Sequence, residues 1–132
     1  MHPTTLPTLS LERAVALTEE VIAGKEDFVY RSPNCRIECV YIHRGAPSCL
    51  VGLILVAHGI PINVVVRRNG QAIGNRLDLP ADAIDGWAKI FLCHLQTWQD
   101  RGEPWGQAFS LAAVDTQRQI GDRHPWPELA GA

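Results

Sequence analysis

The most constraining feature of the sequence is an apolar run, Cys49–Ala57, that reads C-L-V-G-L-I-L-V-A. Pro47 before the run suits a helix start and Gly59 after it suits a helix end, which predicts a helix over about 47–58. A helix with almost no polar side must be covered all round by the rest of the chain. The run is about half of the ~20 residues that a membrane span requires, so we predict that it forms the centre of the hydrophobic core of a globular domain.

Helical patterns also occur on both sides of this run. Ser10 is a suitable N-cap residue, and apolar side chains recur behind it at three- and four-residue spacing, which predicts a helix over 10–23. The clearest amphipathic pattern begins near Pro80 or Asp82 and ends at Gly102, and a further helix starts at Pro104. Because the connection between these last two helices is short, we predict that they form a helical hairpin.

Two short segments resemble strands. Phe28–Tyr30 and Arg36–His43 are rich in β-branched and aromatic residues, and the intervening R-S-P-N has turn-forming residues, which predicts a β-hairpin. The segment 61–68 is ambiguous between strand and helix. The predicted fold is therefore α+β and mainly helical, with a small antiparallel hairpin packed on the central apolar helix and a helical hairpin at the C-terminus.

The length and composition of the chain indicate one folded domain. The chain has 132 residues, of which 46% are hydrophobic and 20% charged, values that are ordinary for a globular domain. We expect a flexible N-terminus over 1–9, a globular domain over 10–117 and an extended or disordered tail over 118–132. The first residues lack the pattern of a secretory signal, which predicts a cytoplasmic protein.

The charge distribution argues against nucleic-acid binding. The 12 Lys and Arg residues are balanced by 14 Asp and Glu, and no basic stripe is present. Arg67, Arg68 and Arg76 form a small local cluster, and the favoured interpretation is a solvated face. The alternative is a pocket for an anionic, nucleotide-like ligand, in which these arginines would act together with Tyr41 and Trp105.

Four residues of types that zinc accepts follow one another at short spacing: Cys35, Cys39, His43 and Cys49. On a regular strand, however, residues four apart lie ~13 Å from each other, too far for one ion to bridge. We therefore interpret the cysteines as small core residues, and no metal or cofactor is predicted.

Cys49 also raises the question of nucleophilic catalysis. A helix N-terminus lowers the pKa of a thiol, and His43 is close enough in sequence to act as its base. Against this, Cys49 precedes a helix that must be buried, and no third, orienting residue is evident. A structural role for Cys49 is favoured, and a thiol enzyme remains an alternative.

The tail carries the sequence P-W-P at Pro125, Trp126 and Pro127. A tryptophan in a pre-extended segment has no helical face to bury, so it is the kind of anchor that docks in a groove of its own domain or of a partner. We predict that these three residues bind a partner.

Three stretches of the sequence resemble motifs of known proteins: Y-I-H-R-G-A-P-S-C-L-V-G at 41–52, G-I-P at 59–61 and W-Q-D-R-G-E-P-W-G-Q-A at 98–108. In this order they resemble motifs of small uncharacterised proteins from actinobacteria and their phages, over roughly residues 10–113. The resemblance implies an accessory protein within the cell and brings no catalytic residue.

Together these observations predict a non-enzymatic binding protein, phage-encoded or actinobacterial, that modulates a host protein. The alternatives are a protein that sequesters a small anionic ligand and a thiol enzyme using Cys49. A membrane or nucleic-acid partner is not expected, and a homodimer is compatible with the apolar helices.

Overall fold

A computed structural model describes residues 7–31, 42–43, 45–62, 65 and 83–127 of the chain. Four α-helices dominate the described residues. In chain order the elements are α1 (Leu11–Ile22), β1 (Ile42–His43), β2 (Ala46–Pro47), α2 (Leu50–His58), α3 (Gly86–Asp100), α4 (Trp105–Ile120) and a 3₁₀ turn (Gly121–Arg123).

Helix α1 begins where the sequence predicts. The Ser10 hydroxyl oxygen accepts a hydrogen bond from the Arg13 N–H at 3.1 Å, which satisfies one of the free donors of the first turn. Leu9, just before this cap, is fully buried, and its backbone exchanges hydrogen bonds with Ala83 and Asp85. Residues 7–9 therefore differ from the flexible N-terminus that we predicted, because Leu9 belongs to the core.

Helix α2 is the apolar helix of the sequence. Leu50, Val51, Ile54 and Leu55 are all fully buried, and each such side chain contributes about 1.5–3 kcal/mol to folding by leaving water. The helix ends at Gly59, whose φ of 111° lies in the left-handed region that glycine tolerates.

Helices α3 and α4 form a hairpin. Asp85 caps α3 by accepting a hydrogen bond from the Trp87 N–H at 2.6 Å. Pro104, the residue before α4, offers no side-chain cap. Contacts 98 to 115 and 94 to 119 run in opposite directions along the two helices, so the pair is antiparallel.

The core lies where all four helices meet. Helix α1 contacts α2, α3 and α4, and α2 also contacts α3. The largest side chains that are fully enclosed come from α1, α2 and α3 or from the residue just before the Ser10 cap: Leu9, Leu11, Leu17, Leu50, Ile54, Leu55, Phe91, Leu92, Leu95 and Gln99.

The predicted α+β class is wrong, because the described residues form a mainly helical fold without a β layer. Their strand pairing is limited to the two-residue ladder of β1 with β2 and a single bridge between Leu9 and Ile84. Phe28–Tyr30 is not a strand; the Phe28 carbonyl accepts a hydrogen bond from the Trp105 N–H at 2.9 Å. Residues with high strand propensity are those that pack well on a half-buried surface, which need not belong to a sheet. Here the start of α4 provides that surface. Residues 32–41 and most of 61–68 lie outside the described residues.

The end of the chain also differs from the tail that we predicted. Residues 118–120 belong to α4, residues 121–123 form the 3₁₀ turn, and Trp126 packs against the core. The physical reason is that the indole has a large apolar surface, which it buries against Phe91. No helix among the described residues is long and apolar enough to cross a membrane.

Candidate functional sites

Cys49 is a helix cap inside the core. Its side chain is fully buried, and its Sγ accepts a hydrogen bond from the Gly52 N–H at 3.3 Å. The neighbouring Leu50 N–H donates to the Gln99 Oε1 at 2.7 Å. The thiol thus occupies the position that Ser or Asp usually fills at a helix N-terminus. A substrate could reach Cys49 only if the core opened.

The structure does not test the other residues of the predicted thiol and zinc sites. Cys35 and Cys39 lie outside the described residues, and only the backbone of His43, in β1, is described. Within the described ranges, no three His, Cys, Asp or Glu side chains lie close enough together to hold a metal ion.

Trp105, the aromatic member of the predicted ligand pocket, is buried. Its indole N–H donates to the Gln99 Oε1 at 3.2 Å, and the ring of Phe28 covers it with 4.5 Å between centroids. A ligand could stack on Trp105 only by displacing Phe28. Tyr41, Arg67, Arg68 and Arg76, the remaining members of that pocket, lie outside the described residues.

Phe28 and Val29 are two adjacent, exposed apolar residues that the sequence interpretation missed. Phe28 is 48% exposed and Val29 37% exposed, although the segment that carries them is held by the core. We refer to these two residues as the Phe28 patch. The residue types of this segment indicated a strand, but no pattern in the sequence indicated that the side chains of Phe28 and Val29 would be exposed to solvent.

The backbone around the Phe28 patch is fixed by helix α4. The Trp105 N–H donates to the Phe28 carbonyl and the Gly106 N–H to the Glu26 carbonyl, both at 2.9 Å. These two carbonyls replace the side-chain cap that Pro104 cannot supply. Gly106 suits this close approach, because a Cβ there would lie 3.0 Å from the Cβ of Glu26, tighter than most Cβ contacts.

Charged residues flank the Phe28 patch along the chain. Lys25, Glu26, Asp27 and Arg31 are all exposed and lie within three residues of it. An apolar centre with a charged rim is the usual composition of a protein–protein contact.

A cluster of polar and aromatic side chains connects α3 to α4. The Trp98 indole N–H donates to Asp115 at 2.8 Å, and the His94 Nε2 lies 2.6 Å from the Gln119 Oε1. The Arg101 guanidinium lies 5.0 Å from the centre of the Trp98 ring. These side chains bind each other across the hairpin, so they stabilise the pairing of the two helices.

Of the P-W-P residues predicted to bind a partner, Trp126 lies against its own domain. Trp126 is half-buried and meets Phe91 edge to face, with 5.9 Å between ring centroids, while Pro125 is exposed. His124, just before them, stacks on Trp87 at 5.4 Å. The sequence left open whether the tryptophan docks on its own domain or on a partner, and in this structure it docks on its own domain.

His124 also reaches helix α1. Its Nε2 lies 3.3 Å from the Oε1 of Glu12. A hydrogen bond from the backbone is the largest cause that lowers the pKa of the Glu12 carboxyl below its ordinary value; burial opposes it, and His124 and Ser10 lower the pKa further.

Comparisons of the chain with protein-family models, with curated protein sequences and with solved structures give no match.

Proposed function

We propose that this chain is a non-enzymatic binding protein that modulates a host protein in the cytoplasm, and that the Phe28 patch is its point of contact. The observation that carries this proposal is the combination of exposure and rigidity at Phe28. The ring is 48% exposed, and the backbone beneath it is bound to the first turn of α4.

Rigidity matters because binding orders the residues at an interface, at a cost of about 0.5–1.5 kcal/mol for each side chain immobilised. Phe28 already packs on Trp105, and the carbonyls of Glu26 and Phe28 are already hydrogen-bonded. A partner would therefore meet a preformed anchor. Aromatic anchors of this kind carry most of the binding free energy in many interfaces.

The charged rim supports the same interpretation. Lys25 and Arg31 provide positive charge beside the patch, while Glu26 and Asp27 provide negative charge. Mixed rim charges of this kind favour a partner with a matching pattern and act on association rate and specificity more than on affinity. That the partner is a host protein follows from the resemblance to small phage and actinobacterial proteins.

The two alternative functions receive less support from the described residues. The thiol of Cys49 is enclosed, and the indole N–H and one ring contact of Trp105 are already used within the protein. A binding protein therefore accounts for the described residues better than a thiol enzyme or a ligand-sequestering protein does.

The test compares three forms of the protein as bait in an actinobacterial cell extract. Wild type is compared with Phe28→Ser and with Val114→Ser, a matched control because Val114 is 44% exposed but lies on α4. Captured proteins are quantified by mass spectrometry, and a captured partner is then purified and titrated by calorimetry against all three forms.

We expect one partner to bind wild type and Val114→Ser with the same Kd, and Phe28→Ser ~10-fold or more weakly, as for loss of a central aromatic anchor. Equal affinity for all three forms would exclude the Phe28 patch as the contact. If wild type binds no protein directly in the titration, the binding function itself is wrong.

A further inference from the structure

The C-terminal residues 121–127 lie against helices α1 and α3 and are held there by side-chain contacts. The Gly121 N–H donates to the Gln117 carbonyl at the end of α4. Beyond this point, none of the backbone hydrogen bonds of the described residues joins residues 122–127 to α1, α2 or α3. The segment therefore lacks the backbone pairing that holds residues 26–28 in place.

Three side chains hold the segment on other helices. The first is His124, which stacks on Trp87 of α3 and lies 3.3 Å from the Glu12 carboxylate of α1. The second is Trp126, whose ring meets Phe91 of α3. Arg123 adds a cation–π contact with Trp87, at 5.5 Å from the ring centre.

The segment is incompletely packed on the helix that it follows. A half-open pocket of about 160 Å³ lies between part of it and α4, lined by Gln117, Ile120, Gly121, His124 and Trp126. The Arg123 guanidinium also donates to the Ile120 and Gln119 carbonyls of α4. A segment attached by side chains beyond Gly121, with space beneath it, can leave its seat without breaking any of the four α-helices.

Gly121 provides a suitable hinge. Its φ of 58° and ψ of −129° mark the point where the chain leaves the helical conformation of α4. Backbone rotation at one glycine would move residues 122–127 as a unit while α4 stays intact.

We propose that residues 121–127 form a displaceable strap, which closes over Phe91 and Ile120 through its His124 and Trp126 anchors and opens at Gly121. Phe91 and Ile120 are 0% and 2% exposed in the closed state. Opening uncovers their apolar surface and releases Trp126, so the protein has a closed and an open form. This inference is independent of the Phe28 patch.

Trypsin cleavage at two sites tests the strap on the full-length protein. The Arg123–His124 bond lies within the strap, whereas Arg101 lies in the exposed connection between α3 and α4 and serves as an internal control. Cleavage that follows transient opening reports the population of the open form when closing is fast. The two products are quantified separately by mass spectrometry.

Three variants are compared with wild type: Trp126→Ala, Glu12→Gln and the matched control Glu20→Gln, an exposed glutamate of α1 for which no strap contact is seen. We expect Trp126→Ala to raise cleavage after Arg123 by ~10-fold and Glu12→Gln by ~2-fold, as for loss of a partly buried aromatic contact and of an exposed hydrogen bond. Cleavage after Arg101 stays constant, and Glu20→Gln behaves as wild type.

Equal cleavage after Arg123 in wild type and in Trp126→Ala would overturn the proposal, because the anchor would then not close the strap. A parallel rise at Arg101 and Arg123 in both Trp126→Ala and Glu12→Gln would also overturn it. That result would mean that the strap opens only when the whole domain does.

Discussion

The Oε1 atom of Gln99 lies 2.7 Å from the backbone nitrogen of Leu50, so a fully buried amide of α3 caps the first turn of α2. The same oxygen accepts the indole N–H of Trp105 at 3.2 Å, and the Gln99 amide group donates to Asp100. One side chain therefore ties together the starts of α2 and α4. A buried polar group is tolerated in a core when it is hydrogen-bonded, as both the oxygen and the nitrogen of the Gln99 amide are here.

Replacing Gln99 with leucine should strongly destabilise the protein. The leucine keeps the approximate volume but leaves the Leu50 N–H and the Trp105 indole N–H buried without their acceptor, at about 1–3 kcal/mol each. We expect a loss of about 2–4 kcal/mol in the free energy of unfolding, measured by urea denaturation. Gln107→Leu, at an exposed position of α4, is the control and should change stability by less than about 0.5 kcal/mol. Equal effects of the two substitutions would contradict the cap.

Gly106→Ala should destabilise the protein, although alanine is normally the better helix residue by about 1 kcal/mol. The added Cβ would lie 3.0 Å from the Glu26 Cβ and 3.2 Å from the Glu26 carbonyl oxygen, which pushes residues 26–28 away from α4. We expect a net loss of about 1 kcal/mol. Gly86→Ala is the matched control, since a Cβ at Gly86 meets nothing within 4 Å, and it should leave thermal stability unchanged or raised. Stabilisation by both changes would show that the close approach costs nothing.

Cys49 should react with iodoacetamide more slowly than Cys93 in the native protein. Cys49 is fully enclosed whereas Cys93 is partly exposed, so modification of Cys49 requires the core to open. Peptide mapping by mass spectrometry separates the two sites, and in ~6 M guanidinium chloride both should react at similar rates. Fast modification of Cys49 in the native state would reopen the thiol-enzyme hypothesis.

Glu12 should contribute to stability at neutral pH and lose that contribution in acid. The pKa of its carboxyl is lowered in the folded protein, chiefly by a backbone hydrogen bond, from an ordinary value of 4.5. The contribution is therefore fully present above the unfolded pKa and disappears as the pH falls through the folded pKa. Urea denaturation of wild type and Glu12→Gln should show a difference at pH 7 that vanishes at strongly acidic pH. A difference that persists at low pH would mean that the carboxylate charge is not the cause.

The sequence by itself determined the helices and several of their ends. Periodic apolar residues place α1, α3 and α4, and local chemistry ends α2 at Gly59, where a left-handed residue is needed. The Ser10 cap also needs only its immediate neighbours. Each of these features depends on contacts within about one helical turn, and such contacts can be read along the chain.

The tertiary structure alone decided how the remaining segments are used. Phe28–Tyr30 has strand propensity, yet its backbone caps α4, a helix that begins more than 70 residues later. The seat of Trp126 on Phe91 and the contact of Gln99 with Leu50 likewise join residues distant in sequence. Local propensities are worth only tenths of a kcal/mol per residue, and the burial of a ring or the pairing of a buried N–H outweighs them.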